Sequence, residues 1–424
     1  MKKAPALSEP VLPKLLPHTE ELLPNGTELV VVNDPNQEVF KLDILYESGS
    51  YYQPQPLVAS AAINMLAEGT TRHSAAEIAE WFDYYGAYTD HHSGFRQAEL
   101  NLFSLTKYAA ETIDRVAEMA TESTVPPAEL EVYLRSRRQQ FLTEKQKTAW
   151  MARKESNRLL FGEHHPYANQ VCEADYGRVT PELVRDFYRE RILSGRCCLI
   201  LSGCITSEIK ERVVRTFGET LRPPYTRETP VHAYAPAAPG RYNIEKPDAV
   251  QTSIRISKHG VRLPEKEYAG FLLLNTIFGG YFGSRLMSNI REEKGYTYGI
   301  QSYNVSMPDN AYWCIVTDVD NAYTEATLEE IRKELDSIRR EPVGREELEL
   351  VKKYLHGELL REIDGVFAQT DALKQKRIYG MDNDFYATLL AGLKKTTPEE
   401  LLELAQNYWD PEEMYVVTVG KTRP

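Results

Sequence analysis

A chain of 424 residues, 42 % apolar and 26 % charged, holds more than one core, because a single core stops growing at roughly 250–300 residues. Its net charge of -12 argues against nucleic acid and anionic membrane surfaces as partners, since both demand a basic face. Five cysteines (Cys172, Cys197, Cys198, Cys204 and Cys314), odd in number and without a C-x-x-C pair, argue against a disulfide framework and a cysteine metal site.

In chain order, the opening MKKAPALSEPVLPK places Lys2 and Lys3 at its start but no apolar run behind them, so it does not read as a signal peptide. FKLDILYESG alternates as a strand and ends at Gly49, and an apolar helix over 56–67 follows. Ser74-Ala-Ala-Glu77 is a capping box that starts the next helix. His91 and His92 fall on a strand, where neighbours face opposite ways and cannot easily share a metal. Residues 127–161 are charged, with apolar residues at helical spacing, and read as long packed helix. His164 and His165 sit in a loop, FGEHHPY. Thr180-Pro181-Glu182 opens a helix, with Thr as N-cap and Pro in the first turn, and the strand CCLILSG follows, its cysteines small core residues.

A proline-rich stretch over 223–245 reads as a semi-rigid linker. Beyond it the pattern repeats. QTSIRISKHG ends at Gly260, an apolar helix over 267–278 follows, Thr397-Pro398-Glu399 opens a late helix, and MYVVTVG closes as a strand. Thr180 and Thr397 are as far apart as Gly203 and Gly420; Gly49 and Gly260, Asn64 and Asn275, and Gly69 and Gly280 share one slightly shorter spacing. Several matches in register, with a small drift from loop insertions, define an internal repeat. The fold expected is therefore α+β: two similar α/β sandwich domains, 1–222 and 246–424, each a mainly antiparallel sheet with helices on one face. The longest uncharged apolar stretch, YAGFLLLNTIFGGYFG, is too short and glycine-rich to span a bilayer, so a cytoplasmic chain is expected.

GGYFGSRLMSNIREEKGYTYGI, Gly279 to Ile300, has no G-K-[ST] and the wrong spacing for a dinucleotide loop. Taken alone it reads as a turn and then an exposed helix ending at Gly295. With Ser284-Arg285-Leu286, Arg291, Glu292, Gly295 and Tyr298, it also closely resembles the C-terminal-domain signature of the pitrilysin/insulysin peptidase family, which includes the mitochondrial processing peptidases. The resemblance covers nearly the whole chain and makes Arg291 and Tyr298 the matching Arg/Tyr pair. Active members carry an inverted His-x-x-Glu-His before a Gly-Thr. This sequence keeps the frame, NMLAEGTTRHSAAE, but counting back from Gly69-Thr70 places Ser60, Ile63 and Asn64 at those positions, and the third ligand falls near Gln139 or Gln140.

Catalytic zinc needs about three N, O or S ligands and an open position for water. A serine, an isoleucine and neutral amides do not supply them. The resemblance thus implies no cofactor in this chain and zinc in a homologous partner subunit that bears the zinc motif, with Arg291 and Tyr298 acting in trans on a peptide. It leaves room for a homodimer when the chain is alone. Two other readings stand beside it: a structural or peptide-binding scaffold in which the pair is a relic, and a metalloenzyme with unconventional ligands.

Overall fold

The computed structural model describes residues 15–222 and 228–421; the opening 14 residues and 223–227 of the expected linker lie outside them. In the first half, strands β1 (His18–Leu22), β2 (Glu28–Asn33) and β3 (Val39–Tyr46) precede helices α1 (Val58–Asn64) and α2 (Ala75–Tyr85). Strands β4 (Tyr88–Ser93) and β5 (Ala98–Leu105) come next. They lead to α3 (Ala109–Glu122), α4 (Pro127–Glu144), α5 (Thr148–Phe161), α6 (Pro181–Phe187), β6 (Cys197–Gly203) and α7 (Ser207–Thr220).

The second half runs β7 (Gly240–Glu245), β8 (Gln251–His259), α8 (Tyr268–Asn275), β9 (Thr297–Ser306), β10 (Ala311–Asp320), α9 (Thr324–Arg340), α10 (Arg345–Glu362), α11 (Val366–Tyr379), α12 (Phe385–Lys395), α13 (Pro398–Tyr408) and β11 (Tyr415–Gly420). The second sheet therefore begins at Gly240, inside the stretch read as linker, because β7 finds β11 as a parallel partner, Tyr415 opposite Gly240.

The repeat is visible in the topology. The first sheet has the order β1-β2-β6-β3-β5-β4 and the second β7-β11-β8-β10-β9. Without β1 the two orders are the same, and each contains one parallel pair at the same place, β2 with β6 and β7 with β11. The remaining neighbours are antiparallel. Caps anticipated from sequence form: Ser74 and Glu77 make a reciprocal box at α2, and Thr180 and Thr397 cap α6 and α13. The span 127–161 is two helices, broken after Glu144.

Alternation divides each sheet into two faces. Phe40, Leu42, Ile44 and Tyr46 of β3 join α1, α3 and α6 in one core; Ile254 and Ile256 of β8 join α8, α9, α10 and α13 in another. The opposite faces are covered by exchange. From the first half, α5 lays Ala152, Leu159, Leu160 and Phe161 against Tyr415, Val417 and Val419 of β11. From the second, α11 lays Val366 and Leu373 against Val30, Val32, Leu45 and Ile200 of the first sheet. Each such buried aliphatic side chain contributes about 1.5–3 kcal/mol.

Polar contacts fix the register of both exchanged helices. Ser156 of α5 is 2.7 Å from Ser257 of β8, hydroxyl to hydroxyl, and the hydroxyls of Thr148 and Ser253 are 2.8 Å apart. On α11, Lys374 lies 3.4 Å from Asp43 and 3.3 Å from Glu99, and Lys41 is 3.0 Å from Asp43. Burial pushes the Asp43 carboxyl up, against the pull of Lys374 and Lys41. That opposition is the desolvation cost of placing a charge network between a helix and a sheet.

Within the second core Asn275, at the end of α8, is a junction. Its Oδ1 accepts from Trp313 Nε1 and from Ser302 Oγ, each at 2.7 Å, and its Nδ2 donates to the Ser302 carbonyl at 3.2 Å. One side chain thereby joins a helix to β9 and β10. Asn275→Ala strands buried donors and is expected to cost about 2–4 kcal/mol, read as a lowered urea midpoint at unchanged slope. A shift below about 1 kcal/mol would show that the junction is not holding the strands.

Candidate functional site

Arg291 and Tyr298 are positioned by a short helical segment and the strand it feeds. The turn Met287–Glu293 is π-helical rather than the exposed helix expected, and it is half sunk: Met287 and Ile290 are buried, as are Ser284 and Leu286 just before it. Arg285 holds it to α10 with two bonds to Glu347, 2.9 and 2.8 Å, and Asn289 donates to Glu334 of α9 at 2.8 Å. Gly295, at φ +66°, turns the chain out of the helix, and β9 begins at Thr297. The loop before the turn is tight: a Cβ on Gly279 would lie 2.6 Å from the Ser302 hydroxyl and 2.9 Å from its backbone nitrogen.

The two arginines of the motif therefore have different fates. Arg285 is committed to Glu347 and is structural. Arg291 makes no ion pair with a described residue; its guanidinium lies 4.7 Å from the centre of the Phe282 ring, which is itself 64 % exposed. A cation over an aromatic face is held without being neutralised. Tyr298 is 95 % exposed, and its hydroxyl makes no hydrogen bond to a described residue. Both groups remain free for an external ligand. Tyr298 stands on β9 and Arg291 on the turn that leads into it; β9 is the edge of the second sheet, and its outer side offers unpaired backbone groups.

Beside them lies a cavity of about 790 Å³, between the first turns of α5 and the outer face of the second sheet. Phe282 and Gly299, neighbours of the pair, form part of its wall, as do Trp150, Arg153, Arg255 and Tyr303. The sequence reading missed Arg255 and Phe282. The signal for Arg255 was a lone charge within the uncharged opening of β8, QTSIRIS; for Phe282 it was an aromatic between glycines.

The degenerate ligand positions are found elsewhere. Ser60 and Asn64 share the half-buried side of α1, one turn apart, and both are turned onto their own helix: Ser60 Oγ donates to the Leu57 carbonyl at 3.0 Å and Asn64 Nδ2 to the Ser60 carbonyl at 2.7 Å. Ile63 points the other way, fully buried in the first core. Gln139 and Gln140 are exposed on α4, and Gln140 accepts from Arg137 at 3.2 Å. No hydrogen bond among the described residues joins either glutamine to Ser60 or Asn64. A hydroxyl and neutral amides, with an isoleucine between them and the glutamines unconnected to them, do not fit catalytic zinc.

The histidines do not replace that set. Among the described residues no three His, Cys, Asp or Glu side chains are grouped to hold a metal ion. His91 and His92 alternate on β4 as expected, and burial brings His91 down to about 4. His73 contacts Glu118 at 2.8 Å. His165, in its loop, is buried. Its ring stacks on Tyr234 at 4.2 Å, its Nδ1 accepts from the Tyr167 amide at 3.2 Å, and desolvation brings it down to about 4, so it is a neutral packing residue.

Residues 178–355 match the family model of the peptidase M16 inactive domain. An uncharacterized zinc protease of Bacillus subtilis is 21 % identical over 389 residues, covering 90 % of each chain, and one of Rickettsia felis is 22 % identical over 391 residues, covering 91 % of this chain and 90 % of that one. Among solved structures, a peptidase M16 inactive domain from Pseudomonas fluorescens superposes with a TM-score of 0.86 at 22 % identity, over 96 % of this chain and 99 % of that one. A Helicobacter pylori protease gives 0.87 at 14 % identity, over 96 % and 100 %. These structures share the fold. No helix among the described residues is long and apolar enough to cross a membrane.

The donor set makes a direct prediction. Equilibrium dialysis of the purified chain against zinc, followed by metal analysis, is expected to leave it well short of one ion per chain; near-stoichiometric zinc retained after chelation would contradict the reading of α1.

Proposed function

We propose, taking this chain as a member of the M16 peptidase family, that it is the non-zinc half of a two-chain peptidase. In this reading it lends Arg291 and Tyr298 to a homologous subunit that bears the zinc motif. The observation that carries this is the contrast between the halves: the ligand helix of the first has no ligand set, while the second presents an unpaired arginine and a tyrosine 95 % exposed.

The partner's metal would supply the activated water. The contribution of this chain is then positional and electrostatic. The Tyr298 hydroxyl donates a hydrogen bond toward the oxygen on which negative charge develops, a placement whose loss costs about 10²–10³ in rate where comparable donors have been removed. Arg291 offers up to five N–H donors in a fixed plane, suited to holding peptide carbonyls in register. Its seat on Phe282 limits the rotamers it loses on binding. An extended peptide suits such a site because its main chain can pair with a sheet edge, giving broad recognition.

Co-expression with a relative carrying His-x-x-Glu-His is expected to give a complex that cleaves an unstructured peptide, with neither chain active alone. Arg291→Ala combined with Tyr298→Phe is expected to lower that activity by about 100-fold or more while the complex still forms. Because Tyr298 touches so little, Tyr298→Phe alone is expected to change stability by less than about 0.5 kcal/mol, so lost activity cannot be ascribed to unfolding. Undiminished activity of the double variant would contradict the role given to the pair.

A further inference from the structure

The cavity beside the Arg/Tyr pair has a feature that packing does not explain. Arg255 projects from the outer face of β8 and is 5 % exposed, yet no carboxylate of a described residue lies within ion-pair distance of it. Its Nη1 donates to the Tyr303 hydroxyl at 3.1 Å, its Nη2 to the Cys314 sulfur at 3.3 Å, and its Nε has no partner. The rings of Tyr303 and Tyr312 lie 5.8 and 5.9 Å from the guanidinium carbon.

None of these neighbours carries a compensating charge. Burial raises the Cys314 thiol and the Tyr312 phenol, and brings Tyr303 to about 12. At neutral pH all three are uncharged, and the cation stands alone. A buried, unpaired charge is costly, commonly several kcal/mol per ion, and an apolar residue of similar size is often at least as stable in its place.

The rest of the wall makes the cavity a positive place in an acidic chain. Lys147 and Glu144 pair with each other at 2.6 Å, and Asp318 accepts from the Ser253 hydroxyl, while Arg153 is exposed and makes no ion pair among the described residues. The two arginines thus face one carboxylate across a space of about 790 Å³, within the size of ordinary ligand sites and lined in part by Trp150, Phe282 and Tyr303.

We propose that this cavity is a carboxylate-binding subsite, in which Arg255 receives the carboxylate of a peptide lying against the aromatic wall. A guanidinium fork and a carboxylate match in geometry and charge, and the orphaned Nε would gain its acceptor. The proposal concerns binding by this chain and stands whether or not the chain works beside a zinc subunit.

The test is fluorescence anisotropy on the isolated full-length chain, with three fluorescein-labelled alanine-rich hexapeptides ending in tyrosine. One ends in a free carboxylate, one is amidated, and one is amidated but carries an internal glutamate. The free acid is expected to bind at least about tenfold more tightly than the amide. Equal binding by the glutamate peptide would assign the subsite to acidic side chains as well as to chain ends; weaker binding would assign it to chain ends. Arg255→Met is expected to abolish the preference while melting at or above the temperature of the unmodified protein. Arg255→Lys, which keeps the charge but loses the fork, is expected to retain part of it. Wild-type protein that binds acid and amide alike, or binds no peptide, overturns the proposal, as does a preference that survives in Arg255→Met.

Discussion

The exchange of α5 and α11 between the halves is the constraint on which the rest of the molecule depends. A strand pattern such as LVVV in β2 or LILS in β6 is apolar on both faces and needs cover on both. Each half has helices enough for one face of its own sheet. The second face is closed by a helix from the opposite half, α5 on the second sheet and α11 on the first. Two domains that look separable along the chain are thereby one interlocked body. The charges of Lys41, Asp43, Glu99 and Lys374 act within that interlock. They do not drive the docking, since desolvation offsets much of their attraction, but they set where along the sheet α11 comes to rest.

The interlock also shapes the site. Because α5 spans β8 and β11 but stops short of the β9 edge, the outer face of the second sheet is left open there, and the cavity lined by Arg255 is the result. Arg291 and Tyr298 adjoin it through Phe282 and Gly299. The cavity therefore follows from the reach of a helix that belongs to the other half of the sequence, and the strand order sets the β9 edge beside it.

Much of this was legible in the residues. The Thr-Pro-Glu helix starts, the Ser74 capping box and the paired glycines pointed to two repeated halves, and the strand orders repeat accordingly. Arg291 and Tyr298 were found by motif; what the motif did not show is that Glu347 takes Arg285 and leaves Arg291 without an ion pair among the described residues. The exchange itself was not legible. The apolar pattern of α5 says that one side of the helix is buried, and carries nothing about which sheet buries it. The burial of His165 was hidden for a related reason: its partner Tyr234 lies in a stretch that local reasoning treats as linker. Asn64 and Asn275, equivalent by spacing, show the same limit. One bonds back to its own helix and the other ties three elements together, a difference set by what packs above them.

Neither sheet, then, is complete without the helix it borrows. The most direct measurement is native-state hydrogen exchange in increasing denaturant, followed by mass spectrometry at peptides covering β3 and β8. The interlocked fold predicts that both strands lose protection together, in one cooperative opening at a shared free energy. If one sheet exchanged fully while the other kept its protection, the halves would be independent domains, and the borrowed helices would not be what holds them together.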